Sequence, residues 1–191
     1  MELKEAIKNR RSIRKFKDTH IQKEKIEGLL NLAMWAPSGM NRQNWYFVVV
    51  EGEVKDKLIE VSKRAFKEFI SESLKEVFKD RETVIKESEK FFYNLGNAPV
   101  VICVYRSRTI EGELTDIQSV AAAVENLLLL IHEEGLGGCW MTGPVHLENE
   151  INKILGVKSK KLQAIIPLGV PDIIPPTPKR KGGRIEWIGW D

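Results

Sequence analysis

Apolar positions recur at helical spacing in several stretches of this chain. Ile26, Leu29, Leu30, Ala33 and Met34 form one stripe, and Thr19 with Gln22 has the form of a capping box ahead of it. Thr115 and Gln118 repeat that form before a helix predicted over 120–134. Ala121, Ala122, Ala123, Val124 and the run 127–131 make this second helix apolar nearly all round, and Gly135 ends it. A helix of that kind is buried on several sides, in a large core or against a second subunit. Shorter helices are predicted over 3–10 and 147–155, the latter stopping at Gly156. The charged stretch 64–90 carries Phe66, Phe69, Ile70, Leu74, Val77 and Phe78 at helical spacing, which predicts a surface or lid helix rather than a linker. Four β-rich runs bounded by Gly, Pro or Asn predict strands over 45–50, 100–105, 138–141 and 163–168. Helical segments separate the strands, so the class is α+β, with helices packed around a small mixed, mostly antiparallel sheet. Four prolines and two glycines in 171–183 predict an extended segment leading into a C-terminal tail over 171–191.

Length and composition narrow the picture. A chain of 191 residues with 42% hydrophobic and 30% charged residues supports a single domain over 1–191 with a substantial core. The 30 basic and 27 acidic residues nearly cancel, which argues against a dedicated nucleic-acid or membrane-surface protein. The apolar runs fall short of the roughly 20 residues that span a bilayer. The first residues mix charges and lack an apolar signal-peptide core, so a cytoplasmic location is expected. Two cysteines, Cys103 and Cys139, suit a reducing compartment and build no disulfide framework. His20, His132 and His146 are scattered without ligand spacing, so no metal site is expected.

Three segments carry candidate chemistry. In the run 10–16, an extended backbone puts Arg10, Ser12 and Arg14 on one face, with Arg10 and Arg14 about 13 Å apart. One phosphate cannot fill that span, whereas a ligand with an anion at one end and an electron-accepting ring system at the other can. Arginine forks and a serine hydroxyl suit phosphate oxygens. A basic loop that binds RNA or only solvates the surface is the competing reading. In 36–45, Ser38, Asn41 and Gln43 offer hydroxyl and amide groups that match the edge of a heterocycle, and an ordinary polar turn is the alternative. In 135–144, glycines on both sides of a short apolar strand permit close backbone approach to a flat ligand, with N–H groups of Thr142 and Gly143 facing it. No dinucleotide-binding fingerprint or P-loop is present.

Taken in order, these segments resemble the nitroreductase family of FMN-dependent NAD(P)H oxidoreductases. The resemblance rests on Arg-Arg-Ser-Ile-Arg at 10–14, Ala-Pro-Ser-Gly-Met-Asn-Arg-Gln-Asn-Trp at 36–45, Asn-Ala-Pro at 97–99, the stretch 116–130, Gly-Leu-Gly-Gly-Cys-Trp at 135–140, Gly-Val-Pro at 169–171 and the basic run 179–181. It implies a flavoprotein homodimer. In that reading FMN takes its phosphate at Arg10 and its pyrimidine edge at Arg14, with Arg11 and Ser12 between them. Lys179 and Lys181 look like the C-terminal basic pair reaching the same phosphate, with Arg180 or Arg184 able to substitute. Pro37, Ser38, Gly39 and Asn41 would come from the other subunit, with Ser119 and Ala122 as further contacts of that kind. Met141, Thr142 and Gly143 would line the ring, with a backbone N–H near flavin N5. No side chain is expected to act as catalytic acid or base. The flavin passes hydride from NADH or NADPH to a nitroaromatic, a quinone or a similar small acceptor, while Arg14 tunes its potential. Relatives in the family that reduce enones or dehalogenate iodotyrosine supply the alternative acceptor class. Cys139 lies beside this expected site without an activating base, and Cys103 reads as packing.

Overall fold

The computed structural model describes residues 2–108 and 112–190. Asp191, the last residue of the expected tail, lies outside them. The chain order is α1 (Leu3–Asn9), β1 (Phe16–Lys17), α2 (Lys23–Ala33), β2 (Trp45–Val50), α3 (Gly52–Ala65), α4 (Ser71–Val77), α5 (Glu82–Asn94), β3 (Val100–Arg106), α6 (Glu113–Glu133), β4 (Gly137–Gly138), α7 (Glu148–Leu155) and β5 (Lys161–Pro171). The strands run β1-β5-β3-β2, and β4 also pairs with β5. Every ladder is antiparallel. Among the described residues, a parallel element enters only through the single bridge between Ser12 and Gly138.

The sheet is covered on both faces, which explains why β3 is buried along its whole length. Alternate residues point to opposite sides. Val100, Ile102 and Val104 join Ala164, Ile166 and Leu168 under α2 and α6. Val101, Cys103 and Tyr105 join Leu162 and Ile165 under α3, α5 and α7. Burial pushes the Cys103 thiol up to about 12 and raises the Tyr105 hydroxyl as well.

Several local expectations need correction. Neither capping box forms. Helix α2 starts after Gln22, which makes no side-chain cap, and Thr19 is drawn into a turn through its N–H to the Lys17 carbonyl at 2.9 Å. Helix α6 starts at Glu113, so Thr115 and Gln118 lie inside it; Glu113 and Asp116 complement the positive end of the helix dipole instead. The lid is not one helix. A π-helical turn at Phe66–Ile70 joins α3 to α4, and the chain leaves helical geometry at Phe78 before α5 begins. Helix α3 was not anticipated over 52–63, although Leu58, Val61 and Ala65 form its buried face. The strand expected over 138–141 is reduced to Gly137–Gly138 and a separate bridge between Met141 and Ile165. Finally, α6 has 21 residues and contains an 18-residue window of mean hydropathy 1.5, long and apolar enough to cross a membrane by composition alone. Its Val120, Ala123, Val124, Leu127 and Ile131 instead fill the core beneath the sheet.

Candidate functional site

The segment after α1 is held in place by backbone pairing. The Ile13 N–H donates to the Gly138 carbonyl at 3.0 Å, and the Ile13 side chain is buried against Gly137. A Cβ on Gly137 would lie 2.6 Å from Ile13 Cγ1, so the glycine is what allows the two segments to touch. With Ile13 turned inward, its neighbours Ser12 and Arg14 turn the other way. The Ser12 hydroxyl meets the Cys139 sulfur, and the Arg14 guanidinium sits 6.0 Å from the centre of the Phe91 ring. The main chain of Arg14 is pinned from the other side by Gly96, a residue at φ 67 whose absent side chain leaves room for the Arg14 carbonyl. Segments 10–14 and 137–143 therefore lie side by side.

Arg10 and Arg11 close the other end. Arg10 Nε is buried and makes no hydrogen bond; its nearest anion is Glu125 Oε1 at 3.8 Å. Arg11 donates to the carbonyls of Lys8 and Arg10 at 2.7 Å and to the hydroxyl of Thr177 in the C-terminal tail. That last contact was not foreseen. It brings the tail to the arginine pair two residues before Lys179, with Arg180, Lys181 and Arg184 following, all exposed. A second tie, between Lys15 and Asp172 at 2.7 Å, fixes the start of the same tail. The lysine holds the Asp172 carboxyl below its ordinary range.

The turn at 141–143 is equally defined. Met141 exchanges both backbone hydrogen bonds with Ile165 at 3.0 Å and is buried. Thr142 then leaves the sheet, and Gly143 opens a short 3-10 turn running to Leu147. The first N–H groups of such a turn have no partner within it. Phe92 packs so closely on Gly143 that a Cβ there would lie 2.6 Å from the ring. Cys139 is buried, and desolvation raises its thiol above the usual range despite the nearby Arg14 and Arg10 charges. It is a protonated, packed thiol and not a nucleophile.

The fourth segment lies elsewhere. The Gly39 N–H donates to Ser119 Oγ at 3.1 Å, and Ser119 in turn donates to the Thr115 carbonyl at 2.7 Å. Ser38 Oγ accepts from the Gln43 N–H at 3.0 Å, and Asn41 Oδ1 accepts from Gln43 at 3.1 Å. Met40, Asn41 and Gln43 all adopt positive φ, so this loop is a specified conformation and not a generic turn. Behind it stands a buried polar network absent from the sequence expectations. Asn44 Nδ2 donates to Asp116 Oδ1 at 3.2 Å, Arg106 meets Asp116 at 3.5 Å, and Arg106 also pairs with Glu113. Pro37 and Asn41 are exposed and Ala122 is half-buried. Within one chain the loop meets α6 at Ser119, six residues and about 9 Å of helix before Glu125, the partner of Arg10. The single chain thus assembles Arg10, Arg11, Ser12, Arg14, Met141, Thr142 and Gly143, and leaves Pro37, Ser38, Gly39, Asn41, Ser119 and Ala122 as a separate surface.

Comparison with known proteins identifies the family. The model of the family described as "Nitroreductase family" matches residues 7–170. An iodotyrosine deiodinase from Thermotoga neapolitana is 31% identical, over 97% of this chain and 95% of its own length. A crystal structure of oxidized iodotyrosine deiodinase bound to FMN and 3-iodo-L-tyrosine superimposes with a TM-score of 0.82 at 29% identity, covering 99% of this chain and all of the other. An FMN and NADPH-dependent nitroreductase from a Sphingopyxis strain shares the fold, with a TM-score of 0.82 at 20% identity and full coverage of both chains. Arg10 to Arg14 docked on the glycine turn, inside a matched region covering most of the chain, leave one assignment: this protein is a member of the nitroreductase family.

Proposed function

We propose that the protein is an FMN-dependent NAD(P)H oxidoreductase working as a homodimer. The observation that carries this reading is the docking of 10–14 beside 137–143, with the tail drawn to Arg11 at one end of the same strip. The donor set fits FMN. Arg10 Nε, buried and without a hydrogen bond, together with Arg11 and the Lys179–Lys181 region, suits a phosphate. Ser12 and Arg14 suit the polar ring edge, and the Gly143 N–H suits a ring nitrogen. FMN held there would supply the redox chemistry of a ping-pong cycle between NAD(P)H and a second small molecule.

The chain's own residues bind, orient and tune. Arg14 places a fixed cation at the ring edge where negative charge grows on reduction, so it favours the reduced form. Met141 and Gly143 set the height of the turn against β5, and Phe92 covers its outer side. The loop at 37–41 completes the site from the partner subunit. In the same reading the tail over 171–191, tied to its own chain at Asp172 and Thr177, reaches the partner beyond them, where its exposed Ile185, Trp187, Ile188 and Trp190 are buried. The acceptor is a nitroaromatic or a quinone. Reductive dehalogenation is the second reading, supported by the likeness to iodotyrosine deiodinases over nearly the whole chain.

The first test is the visible spectrum of the purified protein. A flavin band with one FMN per chain is expected; a colourless protein that binds nucleic acid in a salt-dependent way overturns the reading in favour of a basic-loop binder. Steady-state assays with a nitroaromatic, a quinone and 3-iodotyrosine then separate the acceptor classes. Light scattering before and after truncation at Gly183 tests the assembly: dimer before, loss of dimer after.

A further inference from the structure

A cavity of about 230 Å³ lies behind the arginine pair, between the end of α1, the last turns of α6 and the start of the tail. Arg10, Arg11 and His132 line it, with Ile131 and Leu136 as apolar wall and Ile174 of the tail over it. Two nitrogens along this cavity are buried and make no hydrogen bond: Arg10 Nε and His132 Nε2. Buried polar groups are nearly always paired, so the cavity is bordered by two basic side chains that each keep an unused nitrogen. His132 was read from the sequence as one of three scattered histidines. On α6 it falls seven residues after Glu125, two turns along the same face, which is why it joins the arginines.

We propose that His132 is a third nitrogen of the phosphate-binding end, donating to the FMN phosphate as an imidazolium and so making cofactor affinity depend on pH. This inference rests on the flavin reading above. The groups around His132 are few. From the α1 end come Arg10 and Arg11; from its own helix, Glu125 bonded toward Arg10, Glu133, and Glu134, which pairs with Lys25 of α2 at 2.9 Å. The loop 135–138 carries no charge, and the nearest charge of the tail, Asp172, is held by Lys15. Without phosphate, burial and the two arginines keep the imidazole below its ordinary range and therefore neutral at physiological pH. A dianion in the cavity reverses the balance: it compensates both arginines and attracts the proton. FMN binding then takes up a proton at His132, and affinity rises as pH falls, by at most about tenfold per pH unit for one coupled proton.

The test uses full-length protein freed of flavin and titrated with FMN and with riboflavin, which lacks the phosphate, followed by quenching of flavin fluorescence across mildly acidic to mildly alkaline pH. FMN is expected to bind more tightly as pH falls, more steeply in the wild type than in His132→Gln, while riboflavin affinity stays flat in both. Parallel FMN curves for wild type and His132→Gln overturn the proposal. An NMR titration of the His132 imidazole in the wild-type protein needs no variant. Its titration is expected to move upward on FMN loading and to stay put with riboflavin; no movement with FMN overturns the proposal. Failure of FMN to bind at any pH instead overturns the flavin reading itself, so the two failures are distinct.

Discussion

Gly96 and Gly156 provide a matched pair for measuring how firmly the arginine segment is clamped. Both residues sit in the left-handed region, at φ 67 and 66, so alanine at either position carries nearly the same backbone strain. Their surroundings differ. A Cβ on Gly156 meets nothing within 4 Å, whereas one on Gly96 falls 2.8 Å from the Arg14 carbonyl carbon, closer still to its oxygen, and 3.1 Å from the Phe16 ring. Gly156→Ala should therefore cost about 1 kcal/mol, the penalty for a Cβ at positive φ. Gly96→Ala adds an overpacking term of about 1–3 kcal/mol, because the atoms it strikes belong to a backbone and cannot swing aside. The expected difference between the two variants is thus about 1–3 kcal/mol, measured by urea denaturation followed through tryptophan fluorescence. The displaced backbone belongs to Arg14, so Gly96→Ala should also weaken flavin binding, and Gly156→Ala should leave it unchanged. Equal destabilisation by the two substitutions, or unchanged flavin affinity in Gly96→Ala, would refute the idea that the turn at Leu95–Asn97 holds Arg14 in place.

Three further outcomes follow from contacts already described. Asp116→Ala leaves Arg106, whose side chain is only 5% exposed, with the exposed Glu113 as its remaining carboxylate partner and removes one of the acceptors of Asn44; it should cost about 3 kcal/mol, read as a drop in thermal midpoint, with Asp116→Asn milder. Cys103 titrates near 9.0 when unfolded but is raised to about 12 in the fold, so folding holds a proton that the unfolded chain loses. The associated stability is complete below 9.0 and is lost as pH rises toward about 12, with a slope of at most about 1.4 kcal/mol per pH unit that Cys103→Ala should abolish. Arg14→Ala, loaded with FMN, should lower the flavin midpoint potential as well as weaken binding; an unchanged potential in spectroelectrochemical titration would remove the tuning role.

The sequence was most informative where chemistry and backbone coincide. Strands 45–50 and 100–105 were readable from β-branched runs, and the arginine run and the glycine turn stood out as separate segments, while the packing of Ile13 on Gly137 that joins them became visible only in the fold. Helix α3 was missed because Leu58, Val61 and Ala65 are diluted by lysines and acids that face solvent. The capping boxes failed for a different reason: at both sites the helix start was decided by tertiary placement, a turn after β1 in one case and the Arg106 pair with Glu113 in the other. His132 carried no local signal at all. Its only trace was a seven-residue offset from Glu125, which has meaning once Arg10 is known to meet that glutamate.

Helix α6 also explains why one chain displays two separated halves of a site. Its inner face is spent on the core, yet Gln118, Ala121, Ala122, Glu125, Leu129 and His132 remain exposed or half-buried along the other. These positions recur every three or four residues, so they form a continuous stripe. The loop at 37–41 docks near one end of that stripe through Ser119, and the arginine pair and His132 lie toward the other. From Ser119 to His132 is thirteen residues, about 20 Å of helix. In the proposed dimer, a two-fold axis crossing the stripe near Glu125 and Asn126 would pair the two copies of α6 antiparallel and set Ser119 of one opposite His132 of the other. That pairing would carry the loop of each chain to the arginines of its partner, over the same distance that separates them within one chain. The proposed dimer and the proposed cofactor site are in this way one hypothesis about a single helix face: a charge introduced at Leu129 should separate the subunits and empty the flavin site together.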